Sequence, residues 1–401
     1  MSRLPAAALI GFVLFAAAAA EAIGLPAGGC PTRLDTRMIP LPVYSTLPNE
    51  GSTYGFMPVF LRVCDADQRT ESIIAPSATW NDVIRATGTV RWFYYPKDDE
   101  TLTFIASLSS RINSGVLLQW RDLRRLAGES TTEVELRWQR SVFFRFFGLG
   151  PDTTKETSYT RVRAHGFARR GVNLSDGWNA GVALFLHHDG VQDLGVPDLP
   201  LSPREFPDVP GMKGSTTLGQ GIDLRFDSRP NGENSERGLY AGAGVALVEG
   251  LEGSPTYVRG HVAVRALVPE TSFLGAAARL EWNGVSTSGA PFYDQSSLGG
   301  AYLLRGFTED RFIDRYSWTV ELEERIRIFE THIFGVTADW RIDPFIAAGQ
   351  VYGAWHDMFS NPRVTAGMGF RAWVRPNVVG RVDVATGGEG WKVYVEIGYP
   401  Y

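Results

Sequence analysis

Residues 315–329 read RYSWTVELEERIRIF, and apolar and polar side chains alternate along this stretch. Because successive residues of an extended chain point to opposite faces, the alternation predicts a strand with one apolar and one charged face. The apolar face comprises Tyr316, Trp318, Val320, Leu322, Ile326 and Ile328. The polar face comprises Ser317, Thr319, Glu321, Glu323, Arg325 and Arg327. The inward face of a soluble sandwich would be apolar, so this pattern indicates a strand between lipid outside and water inside.

The same period of two recurs along most of the chain, for example in residues 132–140, 256–266 and 391–401. Each stretch has about 9 to 13 residues, the length that a tilted strand needs to cross a bilayer. The last stretch carries Trp391, Tyr399 and Tyr401, and such aromatic residues are typical of membrane interfaces. Residues 51–401 number 351 and, at about 22 residues per strand and connection, predict an all-β fold. The expected architecture is a transmembrane antiparallel β-barrel of about 16 strands; a soluble β-sandwich or propeller is the alternative.

The N-terminus has the three parts of a secretory signal peptide. Arg3 precedes an apolar run over residues 5–20, and Ala20-Glu21-Ala22 resembles a cleavage site. We therefore expect a signal peptide over 1–22, a short Pro-rich periplasmic lead over 23–50 and the barrel over 51–401. A secreted barrel of this kind belongs in the outer membrane of a Gram-negative bacterium.

Composition narrows the function classes. The 401 residues include 44 Gly, 11 Trp, 14 Tyr and 23 Phe, an excess suited to turns and interfacial girdles. A net charge of −5 without a basic domain argues against a nucleic-acid partner. The two cysteines, Cys30 and Cys64, exclude a disulfide-dense scaffold and a Cys-rich zinc module. A disulfide between them and two unpaired thiols both remain open.

The lengths of the connections predict which end of the barrel faces the periplasm. Residues 250–254 and 375–377 form short links, whereas 189–217 and 284–314 are long, and short turns face the periplasm in such barrels. The first long connection is stiffened by five prolines that cannot pair in a sheet, Pro197, Pro200, Pro203, Pro207 and Pro210.

The sequence offers little for an enzyme. Its six histidines form no H-E-x-x-H motif, and residues 284–289 do not match G-x-S-x-G. His187 and His188 are adjacent on a strand, so their imidazoles point to opposite faces and a shared metal is not expected. We expect no catalytic activity, metal or cofactor; a lipid hydrolase with a Ser/His pair at the lumen rim is the minor alternative.

Four blocks occur in a fixed order over residues 146–401. They are Phe146-Phe147-Gly148-Leu149-Gly150-Pro151-Asp152-Thr153, Phe226-Asp227-Ser228-Arg229-Pro230-Asn231 with Arg237-Gly238, Leu304-Arg305-Gly306-Phe307, and Gly367-Met368-Gly369-Phe370-Arg371 with Arg381-Val382-Asp383-Val384-Ala385. Together they resemble the bacterial surface antigen family, the barrel module of the BamA- and TamA-type outer-membrane assembly factors. The residues themselves predict a bend at Gly148 and Gly150. Asp227, Arg229, Arg381 and Asp383 are candidates for ion pairs in the lumen.

The resemblance implies that the long sixth extracellular loop folds into the lumen, carrying Arg305, Gly306 and Phe307. In the family, the loop arginine locks onto acidic residues of the next two strands. The first partner corresponds to Glu323, with Glu321 as its neighbour on the same face. The second is normally the Asp of a Phe-x-Asp-x-Gly motif, but residues 345–349 read FIAAG. We therefore expect a lock that lacks its second carboxylate.

The resemblance also implies a function in outer-membrane protein assembly or translocation. Before Thr53 there is no room for the family's periplasmic POTRA repeats, so a barrel without its own POTRA domains is expected. The implied partners are outer-membrane lipid and lipopolysaccharide, client outer-membrane proteins, and a separate periplasmic subunit. A passive channel or a structural surface barrel is the alternative.

Overall fold

The computed structural model describes residues 33–66, 70–97, 99–123, 130–230, 235–333, 336–374 and 378–397. The predicted signal peptide over 1–22, Cys30, the link 375–377 and the aromatic residues Tyr399 and Tyr401 lie outside these ranges. In the described part of the chain, no helix is long and apolar enough to cross a membrane.

Nearly all of the described chain is extended. The first strands are β1 (Leu34–Leu47), β2 (Gly51–Cys64), β3 (Thr70–Ile74), β4 (Ser77–Asn81), β5 (Arg85–Lys97), β6 (Glu100–Ser109), β7 (Ser114–Asp122), β8 (Ser130–Phe146), β9 (Thr157–Ser175), β10 (Trp178–Gln192) and β11 (Ser215–Asp227). The remaining strands are β12 (Gly238–Leu251), β13 (Tyr257–Pro269), β14 (Leu274–Val285), β15 (Ser296–Leu298), β16 (Phe312–Asp314), β17 (Tyr316–Ile333), β18 (Val336–Tyr352), β19 (Arg363–Val374), β20 (Val378–Thr386) and β21 (Trp391–Ile397). A single helical turn, α1 (Ser202–Glu205), lies in the connection after β10.

Nineteen of these strands form one antiparallel sheet in which neighbours along the chain pair with each other, and β15 pairs with β16 separately. The strands β3 and β4 both pair with β2 and with β5, so they share one position in the sheet, interrupted at Ala75 and Pro76. The 19 strands thus occupy 18 positions, two more than the estimate of about 16. Since β1 lies beside β21, the sheet closes into a barrel.

Residues 23–50 do not form a simple lead. Within this range β1 pairs with β2 over its whole length, from Leu34 opposite Cys64 to Leu47 opposite Gly51. The proline content of 23–50 favoured a lead outside the barrel, but an edge strand accommodates prolines such as Pro40 and Pro42 where the missing N–H points away from its partner. The prediction for the part 34–47 is therefore wrong.

The two faces of the wall have the predicted polarity. Leu322 is 54% exposed on the outer face, whereas Glu321 and Glu323 are 3% and 2% exposed on the inner face. Val182 and Ile222 lie on the outer face of β10 and β11 and are more than 60% exposed. The apolar exterior and charged interior follow from one side chain pointing each way at every step of a strand.

The long connections lie on one rim of the barrel, because they follow alternate strands of the antiparallel sheet. Counted from the β1–β2 turn, residues 286–315 form the seventh connection on this rim rather than the expected sixth, since β1 adds a hairpin. The short link 250–254 lies on the same rim, so its length did not predict its side. Three of these connections, 147–156, 193–214 and 286–315, pack together through a buried apolar cluster. Its members are Phe146, Tyr159, Met212, Phe292 and Ile313.

Candidate functional site

The seventh connection folds against the inner wall of the barrel. Gly299, Gly300 and Gly306 have φ values of +113°, +107° and +120°, which only glycine adopts readily. These bends allow the chain to turn repeatedly within a short segment. An apolar cluster with the wall anchors the folded loop, and its members are Leu298, Leu304, Phe307, Phe312, Ala347 and Val351.

Arg305 lies at the tip of this fold and has no exposed surface. Its Nη2 donates to Glu321 Oε1 at 2.8 Å and to Glu323 Oε2 at 3.1 Å, both on β17. Its Nη1 donates to Asp383 Oδ1 at 3.1 Å, on β20. The guanidinium also stacks on the Phe345 ring at 3.5 Å from its centroid. Thus three carboxylates and an aromatic face hold one cation.

The expectation of a lock without a second carboxylate is wrong. Residues 345–349 supply the Phe345 ring, and Asp383 supplies the carboxylate from two strands farther along the sheet. Inside a barrel, inward side chains of non-adjacent strands converge on a loop in the lumen, so a partner need not come from the adjacent strand. Asp383 appeared in the sequence as half of a pair with Arg381, and that pair also exists, with Arg381 Nη1 3.4 Å from Asp383 Oδ2.

Gly306 and Phe307 are fixed to the last strand. The Gly306 N–H donates to the Tyr394 hydroxyl at 2.9 Å, and that hydroxyl donates to the Phe307 carbonyl at 2.6 Å. A Cβ on Gly306 would lie 2.8 Å from the backbone carbon of Thr386, so glycine is required for this close approach. Tyr394 was not predicted, although its alternation with Lys392 and Glu396 in the sequence placed it on the inner face.

A second buried arginine extends the network. Arg371 Nη1 lies 2.7 Å from Asp383 Oδ1, and its Nε lies 3.2 Å from Asp343 Oδ2. Arg381, equally buried, donates to the Ala301 carbonyl of the loop at 3.1 Å and forms an ion pair with Glu396. The loop is therefore tied to β17, β20 and β21 by charges that would be costly to bury without partners.

Glu309 adds a titratable group on the loop itself. Burial raises the pKa of its carboxyl to about 8, and the charges of Asp310 and Glu396 act in the same direction. At neutral pH this carboxyl is mostly protonated.

The other predicted residues lie elsewhere. Arg229 Nε is 2.9 Å from Asp227 Oδ1, so these two residues pair with each other at the end of β11 rather than across the lumen. Gly148 and Gly150 have φ values of +104° and +107° at the predicted bend. The Gly150 N–H donates to the Ile313 carbonyl at 2.7 Å, which joins the bend to the seventh connection.

The structure also gives positions for Trp391 and Cys64. Trp391 is 70% exposed at the start of β21, on the outer face. Cys64 is disulfide-bonded, and the other cysteine of the sequence, Cys30, lies outside the described residues. The described residues contain no group of three or more His, Cys, Asp or Glu side chains arranged to hold a metal ion.

The contacts of the site fix a loop to the inner wall of the barrel. Residues 99–385, more than half of the chain, match the Omp85 superfamily domain. The chain belongs to the Omp85 superfamily. The BamA structure from Haemophilus ducreyi lacking POTRA domains 1–3 is similar, with a TM-score of 0.57 and 13% identity over 96% of this chain and 78% of that one.

A second structure, CdiB from Acinetobacter baumannii, has a TM-score of 0.50 and 12% identity, covering 90% of this chain and 59% of CdiB. This chain thus spans less than two thirds of the length of CdiB. No curated protein sequence matches the chain. At these identities the structural likeness shows a shared barrel fold, and the protein is an Omp85-type β-barrel.

Proposed function

We propose that this Omp85-type barrel lies in the outer membrane and assists the assembly or translocation of outer-membrane proteins. Its seam between β1 and β21 would open and template an incoming strand. The proposal rests on family membership and on one structural observation, the weakness of that seam. Client outer-membrane proteins, membrane lipid including lipopolysaccharide, and a separate periplasmic subunit are the proposed partners.

The two seam strands are poorly paired. Leu34–Leu47 and Trp391–Ile397 are both described, and no backbone ladder joins these two segments. The Ser45 hydroxyl donates to the Val395 carbonyl at 2.9 Å. By contrast, β1 pairs with β2 over 14 residues. Unpaired N–H and C=O groups along a strand edge are a template for another strand.

Prolines in β1 remove hydrogen-bond donors from its free edge. Pro40 lies opposite Pro58, and since neither residue has an N–H, this cannot be a hydrogen-bonded pair. Pairs alternate between hydrogen-bonded and non-hydrogen-bonded along an antiparallel ladder, so the N–H positions of residues 40 and 42 point away from β2, toward the free edge of β1. Pro40 and Pro42 therefore remove two donors from the edge that faces the seam.

The two sides of the seam are held unequally. On its inner face β21 is attached to the loop through Tyr394 and to β20 through the Arg381–Glu396 pair. The other side, β1, is held along its length by β2. Opening would therefore displace the β1–β2 hairpin and leave β21 fixed as an edge.

A passive channel is less well supported, because three connections pack together across one rim of the barrel. A lipid hydrolase has no supporting arrangement in the described part of the chain. His187 Nδ1 lies 3.9 Å from Asp294 Oδ1, and His188 bonds Thr216, with no serine hydroxyl among these contacts.

The test is reconstitution of the purified full chain in liposomes with an unfolded client barrel. We expect faster client insertion than in empty liposomes. A cysteine pair at Tyr44 and Val395, which both lie on the outer face of the seam next to the Ser45–Val395 contact, bridged by a short reagent that a reductant cleaves, should abolish this acceleration until the bridge is cut. Wild-type protein treated with the same reductant controls for the native disulfide of Cys64.

A bridged pair at Ala106 and Val116, which face each other on β6 and β7, is the matched control and should leave the rate unchanged. No acceleration by the wild type, or full activity with the seam bridged, would overturn the proposal. Steady ion conductance without acceleration would favour the passive channel.

A further inference from the structure

An arginine projects from the lipid-facing side of β9. Along this strand Val172 and Leu174 are 53% and 62% exposed on the outer face, and Arg170 lies on the same face and is exposed. A charged side chain on the lipid face of a barrel is destabilising at the midplane and much less so near the interface. Arg170 therefore needs either a route to the interface or a counter-charge.

In the structure the side chain of Arg170 extends toward the interface. Arg170 Nη2 donates to the Ser130 hydroxyl at 2.6 Å, and its Nη1 donates to the Thr132 hydroxyl. Both hydroxyls lie at the beginning of β8, next to the rim opposite the long connections. Hydroxyl groups orient the guanidinium without neutralising it, so its positive charge remains available to an anion.

Next to this guanidinium the outer wall is concave. A groove of about 760 Å³ crosses the strands from β8 to β13. Arg170 and Thr132 lie at its polar end, and Gln220 lies farther along it. Its apolar lining includes Val134, Ala168, Leu184, Ile222, Leu247 and Val258.

We propose that this groove is a binding site for a phospholipid of the periplasmic leaflet. Arg170 would bind the headgroup phosphate in a charge-assisted hydrogen bond, and one acyl chain would lie along the apolar groove. The orientation follows from the position of Arg170 near the rim with short connections, which face the periplasm in barrels of this kind. The site goes beyond the proposed function and depends only on this face meeting lipid.

A second lipid-facing groove differs from the Arg170 groove in the sign of its charge. It measures about 480 Å³ and lies across β13, β14, β17 and β18, with small residues such as Ala276 and Ala278 in its lining. Its charged outward side chain is a carboxylate, Glu324. A carboxylate repels a phosphate, so phospholipid should prefer the Arg170 groove.

The test is native mass spectrometry of the purified, folded full chain with phosphatidylglycerol added to the detergent. We expect the wild type to retain one lipid, Arg170→Gln to bind about 10-fold more weakly, and Arg170→Lys to bind at an intermediate level. Ala168→Phe, which fills the groove from the outer face without touching the interior, should also weaken binding. Glu324→Gln is the matched control, since it removes a lipid-facing charge from the other groove and should bind as the wild type does.

Two further ligands test which part of the lipid the groove recognises. Diacylglycerol, which has chains and no phosphate, should not be retained, and lipopolysaccharide should not displace phosphatidylglycerol. Equal binding by Arg170→Gln and wild type, retention of diacylglycerol, or displacement by lipopolysaccharide would each overturn the proposal. The measurement uses no client protein, so its outcome is independent of the assembly assay.

Discussion

At the scale of single residues, Arg305 is the cation on which the loop contacts converge. Its guanidinium meets Glu321, Glu323 and Asp383, all of them buried. Removing one member of a buried ion pair costs more than the pair contributes, because the remaining charges are left uncompensated. The same three carboxylates that hold the loop would repel one another without it.

We predict that Arg305→Ala destabilises the folded barrel by about 3–5 kcal/mol. The measurements are heat-modifiable gel migration, urea unfolding and protease resistance of the loop. Arg204→Ala is the matched control, because Arg204 pairs with Asp193 on the exposed surface, where solvent screens an ion pair and its loss should leave stability unchanged. Wild-type gel migration and protease resistance in Arg305→Ala would contradict the prediction.

Glu309 predicts a pH dependence on the same loop. Its folded-state pKa is raised to about 8, so the folded state holds a proton that the unfolded chain releases above its ordinary pKa of 4.5. The contribution of Glu309 to stability is therefore fully present below its ordinary pKa and is lost as pH rises through about 8. Between pH 6 and 9 we expect a loss of about 2–3 kcal/mol from this group, measured by urea unfolding. Glu309→Gln, which stays neutral, should make this profile less steep; an unchanged slope would show that another group, such as Glu50, whose pKa burial raises to about 7, is responsible.

At the scale of elements, the alternation of polarity predicted the strands of the wall well. Whether a side chain points inward or outward depends only on its position along its own strand. The exception is β1. The Pro-rich residues 23–50 were predicted to be a periplasmic lead, whereas at a sheet edge Pro40 and Pro42 remove only N–H groups that have no ladder partner. Sequence alone could not show that residues 34–47 lie at an edge, because the edge is defined by barrel closure.

We predict that the double substitution Pro40→Val and Pro42→Val strengthens the seam. It restores two N–H donors on the free edge of β1, so hydrogen exchange along β1 should slow and client insertion should fall several-fold. Pro58→Val is the matched control, because the Pro58 nitrogen points away from β1. Unchanged hydrogen exchange and insertion in the double variant would show that the prolines do not govern the seam.

At the scale of the whole molecule, the site was only partly predictable. The resemblance of the third block identified Arg305 and implied Glu323 as its partner, and strand alternation added Glu321 on the same face. Asp383 is 78 residues from Arg305, and its role depends on strands β17 and β20 facing one lumen. The same holds for Tyr394, 88 residues from Gly306. Contacts between non-adjacent strands require the closed barrel, which a linear pattern does not encode.

The packing of three connections over one rim predicts a barrel that conducts ions poorly. Phe292 joins the connections 193–214 and 286–315: its side chain is 1% exposed among Phe146, Tyr159 and Met212, and its N–H donates to the Pro210 carbonyl. Phe292→Asp would bury an unpaired carboxylate in this cluster, which costs several kcal/mol and should separate the connections. In planar bilayers we expect low conductance for the wild type and larger, longer openings for this variant. Phe359→Asp, at a 69% exposed position on the same rim, should behave as the wild type. A variant with wild-type conductance would mean that the loop held by Arg305 closes the lumen without help from the rim.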